Sequence, residues 1–235
     1  MPRKTGLILR SLRRDATAVM GLPGLSGRVR MCFGTARPYR AQAENVSRQG
    51  IGSGEGGGMA RWWVFYADWQ MECCGTPFSV GDEVSWPLLL LSSDEVLGGG
   101  WYEELSKLSG PVETVRDHDG DGGEDGDGGV VATLRGDDGL TAALSGEPPD
   151  EPGQWIRAVG MLTVERHGGL WPETAGTVRA IRVVRQEFAA TDPGSRTLEP
   201  VPQSRSLETA DSSPKWFGEG RCGVLAELEV PDLPT

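Results

Sequence analysis

A compositional break at Met59 constrains this chain more than any motif it carries. All eight tryptophans lie beyond that residue, while residues 1–58 hold only Phe33 and Tyr39 as aromatics and show no apolar period of helix or strand. Charge changes sign at the same place: residues 1–58 carry ten Lys/Arg against three Asp/Glu, and residues 59–235 carry thirteen against thirty-one. The first segment cannot bury enough apolar surface to offset the entropy of ordering, so it is expected to be a disordered basic arm. A sharper reading is that it is not translated. Gly54-Glu55-Gly56-Gly57-Gly58 must be encoded by a purine-rich stretch that resembles a ribosome-binding site, which predicts a start at Met59. Arg13-Arg14 ahead of Ala16 to Leu25 suggests a secretion signal, but Gly21, Pro23 and Gly24 leave no convincing apolar core to it.

The 177 residues from Met59 suffice for one domain with a substantial core. No apolar run approaches the ~20 residues needed to cross a bilayer, so no membrane partner and a cytoplasmic location are expected. Thirteen Lys/Arg against thirty-one Asp/Glu leave residues 59–235 at −18, which argues against nucleic acid, whose phosphates demand clustered Lys/Arg. A protein or small-molecule ligand fits better. Cys73, Cys74 and Cys222 form no disulfide framework, in keeping with a reducing compartment.

Residues 61–68 are aromatic on both parities, as in a strand covered on both faces. Val80, Asp82, Val84 and Trp86 alternate and predict a second strand with one mainly apolar face. Trp101, Leu105 and Leu108 fall at i, i+4, i+7 and predict one short helix over 101–108. Further strands are expected over 111–115, 130–134 and 154–166. Residues 177–188 suit either period, and their β-branched content favours a strand. In residues 221–230 the alternation of Cys222, Val224, Ala226, Leu228 and Val230 with Glu227 and Glu229 predicts a strand with a wet face. The acidic stretch 117–129 is expected to be an insertion loop, 147–153 a Pro-rich linker and 192–214 a polar loop, all within a single β-rich domain over 59–235. The sum is a mainly β fold, most economically a small antiparallel β-barrel, OB-like or SH3-like, with one short helix and long loops.

The block ADWQMECCGTPFSVGDEVSWPL, with PKWF at 214–217 and GVLAELEVP at 223–231, resembles a family of uncharacterised actinobacterial proteins of unknown function. The resemblance covers most of residues 59–235. It implies no activity, substrate or site.

Chemistry-bearing residues are sparse. Asp117, Asp119 and Asp121 before Gly122 open like a calcium loop, but the twelfth position, where a bidentate Glu belongs, is Gly128. Cys73, Cys74 and Cys222, with His118 or His167, offer sulfur and nitrogen to zinc, although no pair has C-x-x-C or H-x-x-x-H spacing. Cys73 or Cys74 could alternatively be redox-active or nucleophilic. Asp68 and Glu72 flank Trp69 and would serve acid/base chemistry only in a cleft. Trp62, Trp63, Trp86 and Trp155 are expected in the core. Trp69, Trp171 and Trp216 are expected at strand ends, where with Asp68, Glu72 and Arg179 they form the candidate binding surface.

These residues favour a non-enzymatic binding or regulatory module without a cofactor. A small metalloprotein or enzyme using Cys73 and Cys74 is the alternative, and single-strand nucleic-acid binding by tryptophan stacking is a third.

Overall fold

The structure, a computed structural model, describes residues 59–116, 130–136, 139–145, 153–167, 171–192 and 197–231. Its strands are β1 (Ala60–Ala67), β2 (Glu83–Trp86), β3 (Leu88–Leu91), β4 (Ser106–Arg116), β5 (Val130–Arg135), β6 (Thr141–Leu144), β7 (Trp155–Val164), β8 (Thr174–Arg185), β9 (Phe188–Ala190), β10 (Leu198–Pro200), β11 (Ser206–Ala210) and β12 (Arg221–Val230). The α-helix among the described residues is α1 (Asp68–Cys73), which continues directly from β1.

Ten of the strands form one mixed sheet in the order β11-β8-β12-β1-β7-β3-β6-β5-β4, with β2 also on β8, while β9 and β10 pair separately. The expected small antiparallel barrel is thereby corrected. Two pairings, β1 with β7 and β3 with β6, are parallel. β4 folds back to pair with β7 through its first half and with β5 through its second. The sheet is nevertheless not closed as a barrel, because it runs on past β7 through β1, β12 and β8 to end on β2 and β11. Gly110 marks the bend in β4, where a Cβ would overlap the carbonyl oxygen of Arg135.

The mainly β reading stands, and so does the choice of strand over helix for 177–188, most of which lies in β8. The helix expected over 101–108 does not form. Its apolar spacing serves two other partners: Trp101 is buried with its indole N–H donating to Val96 O at 2.8 Å, and Leu108 lies in β4 opposite Ala158. So short a helix is marginal without tertiary help, and here packing offers those side chains more. The stretch 192–214, expected as a polar loop, contains β10 and β11. The acidic loop 117–129 lies outside the described residues, as do the arm 1–58 and all of the linker 147–153 except Gly153.

The central strands β1 and β12 are covered on both faces. Val64, Tyr66, Val224, Ala226 and Leu228 enter the main core, whereas Phe65 and Leu225 pack with Val96, Trp101, Met161 and Val184 on the opposite side. This corrects the wet face expected for the last strand. Glu227 keeps some exposure, but Glu229 is buried between Arg61 of β1 and Arg179 of β8, accepting from Arg61 Nε at 3.3 Å and Arg179 Nε at 2.7 Å. At the other end of β12, Gly223 sits in a bulge with φ 145°, and a Cβ there would strike Tyr66 O. Only glycine allows β12 that close to β1.

Candidate metal centre

The site is built where β1 turns into α1. Asp68 opens the helix, its carboxylate favourable at that end and accepting from Trp69 N at 2.8 Å. So short a helix is not stable alone, and side chains anchor it. Gln70 is 3% exposed; its Nε2 donates to Val164 O at 2.9 Å and its Oε1 accepts from Arg166 N at 2.9 Å. That is the donor and acceptor spacing of a parallel neighbour, so the amide continues the β1–β7 ladder past the last residue of β7. At the far end of α1, Lys215 Nζ donates to Met71 O at 2.7 Å and Gly75 O at 2.9 Å, and Phe217 N donates to Glu72 Oε1 at 2.9 Å.

These anchors bring the end of α1 against the turn after β7. Cys73 Sγ and Cys74 Sγ lie 2.9 Å apart, and His167 Nε2 is 3.5 Å from the first and 3.6 Å from the second. One ligand atom from each residue falls within 4.8 Å of the others, and all three residues are exposed. His167 is held at two points: its backbone N–H donates to Glu165 Oε1 at 2.7 Å, and its ring stacks on Trp69 with centroids 5.3 Å apart and planes 23° apart. Both sulfurs also reach Gln70 O, at 3.7 and 3.4 Å, so helix backbone lies on their inner side. Beneath them Arg166 Nε donates to the buried Tyr66 hydroxyl at 2.8 Å.

Tetrahedral zinc takes sulfur at about 2.3 Å and nitrogen at about 2.0–2.1 Å, which sets sulfur and nitrogen about 3.5 Å apart and two sulfurs about 3.8 Å apart. Both sulfur–nitrogen edges match. The sulfurs are closer than that, and rotation of two exposed side chains opens the pair. Partial desolvation of its sulfur within this exposed site, and then the hydrogen bond to Cys74, push the Cys73 thiol up to about 11, so without a cation it is a poor nucleophile at neutral pH.

A family model described as a family of unknown function (DUF6578) matches residues 60–230. The chain belongs to this family. No curated protein and no solved structure matches it.

The other residues singled out in this DUF6578 chain divide between this site and elsewhere. Trp69 and Glu72 belong to it, and Trp216, 70% exposed, lies beside it with its ring centroid 5.7 Å from Lys215 Nζ. Cys222 does not join the cluster. It is buried in β12 with its sulfur 3.9 Å from Gln186 O, and burial followed by the charge of Asp68 push its thiol up to about 11. Burial raises the carboxyl of Asp68, which accepts from Trp69 N, to about 6. Arg179 is paired with Glu229, and Trp171 is buried. Trp155, expected in the core, is 51% exposed on β7, whereas Trp86 is buried and Trp62 and Trp63 are half-buried. Asp117, His118, Asp119 and Asp121 lie outside the described residues. Sequence reasoning missed Gln70 altogether. Its only signal was a polar residue next to Met71 on the inward side of a short helix.

Proposed function

We propose that this DUF6578 chain is a non-catalytic metal-binding module in which Cys73, Cys74 and His167 hold one soft d10 cation, zinc(II) or copper(I). The reading rests on one observation: two adjacent thiols at the end of α1 and an imidazole more than ninety residues further on converge with sulfur–nitrogen separations of 3.5 and 3.6 Å. Thiolate and imidazole together select such ions over calcium or magnesium, which take oxygen. Gln70 and Glu165 orient the turn that carries the imidazole, the supporting role that outer groups take around metal ligands. The overall negative charge adds a general attraction for cations.

The test is metal analysis of the full chain purified under reducing conditions and reconstituted separately with zinc(II) and copper(I). About one ion per chain is expected, lost in Cys73→Ser/Cys74→Ser and in His167→Ala. A folded chain that takes up neither ion, or one that binds equally well without His167, refutes the reading.

A further inference from the structure

Resting on that metal-binding reading, we infer that the ion is exchangeable cargo, handed through an outward-facing fourth coordination position to an incoming thiolate, and not a structural or hydrolytic fixture. Geometry is the first support. A tetrahedral ion held by these three donors would have one coordination direction left over, on the side away from them. Helix backbone at Gln70 O lies against both sulfurs, and all three ligand residues are exposed, so that direction is the solvent side.

The surroundings are the second support. A structural site is closed by a fourth protein ligand, and a hydrolytic one needs a base beside the bound water. Among the described residues, the nearby side chains that would supply either are engaged: Glu165 accepts from His167 N and, at 3.4 Å, from Gln70 Nε2; Glu72 accepts from Phe217 N; Lys215 donates to two carbonyls. Gln70 and Lys215 fasten α1 independently of the cysteines, so the fold does not need the ion. The exposed Trp216 beside Lys215 offers an approaching partner an aromatic contact.

Transfer is then ligand exchange without change of oxidation state. The incoming thiol loses its proton to solvent and its sulfur bonds at the fourth position. One bond from the metal to Cys73 or Cys74 then breaks, and the released thiolate takes up a proton. Further exchanges free the ion.

The experiment mixes the loaded full chain with excess chelator, pyridylazoresorcinol for zinc(II) in one arm and bathocuproine disulfonate for copper(I) in the other. The observed transfer rate is expected to rise about tenfold across a tenfold rise in chelator, because the attacking ligand enters the rate-limiting step. A rate independent of chelator, with the ion bound one per chain, leaves the metal site standing and overturns the exchange inference. So does an ion-free or Cys73→Ser/Cys74→Ser chain that has lost its native circular dichroism, since the ion would then be structural. A chain that loads no ion in either arm overturns both readings.

Discussion

Replacing Gln70 by leucine isolates the contact that holds the candidate site together. Leucine has nearly the volume of glutamine, so the change opens no large cavity and removes only the amide. Val164 is 1% exposed, and its carbonyl, left without Gln70 Nε2, becomes a dry unpaired acceptor costing about 1–3 kcal/mol. Arg166 is exposed, so water replaces Gln70 Oε1 at its N–H and only the net worth of one hydrogen bond, about 0.5–1.5 kcal/mol, is lost. The two losses together predict destabilisation of about 2–4 kcal/mol, read as a shift of the urea midpoint with an unchanged slope. The same variant frees the turn that carries His167, so affinity for the ion should fall about 10–100-fold, as when outer-shell support is lost. A midpoint within about 0.5 kcal/mol of wild type would refute the claim that this amide extends the ladder. An unchanged affinity would refute its role in positioning the imidazole.

Leu228→Ala removes a fully buried side chain from the main core and should cost about 2–5 kcal/mol by chemical denaturation, whereas Glu227→Ala, whose contact with Arg61 is 3.8 Å at a partly exposed position, should stay within about 0.5 kcal/mol. Glu229 is held below the usual carboxylate range, first by its hydrogen bond to Arg179, so its stabilising share is present above the unfolded value near 4.5 and is lost as pH falls through the lower folded value; Glu229→Gln should flatten the acid limb of stability against pH, and an unchanged limb would contradict the pairing. Asp68 is raised by burial, so the fold favours its proton and stability from this group declines as pH rises from about 4 to about 6. Asp68→Asn should abolish that decline in thermal scans across the interval, and a decline of the same size in the variant would show that another group is responsible.

Much of the fold was legible because the signals were local. β1 announced itself through aromatics on both parities, and the structure covers both its faces. The ladder of β12 was visible in its alternation, but its wet face was not real, because Arg61 and Arg179 arrive from strands 168 and 50 residues away to neutralise Glu229. Closure of a small antiparallel barrel was inferred from an economy of edges, and the parallel β1–β7 and β3–β6 pairings that enlarge the sheet leave no mark on any one strand. In the site, Cys73, Cys74 and His167 were among the candidates, yet so were Cys222 and the acidic loop. Spacing along the chain could not separate them.

Side-chain chemistry within a few residues was enough to say where folding material begins, that it is mainly strand, and that sulfur, imidazole and indole are its notable groups. Which of these groups meet depended on contacts between distant elements. Cys73 and Cys74 become neighbours of His167 because Gln70 ties a short helix to the end of β7, and Cys222 is withheld because β12 runs through the middle of the sheet. The physical reason is that a metal-sized cluster requires agreement to within an ångström between elements nearly a hundred residues apart. Only hydrogen bonds and packing between those elements set distances that small.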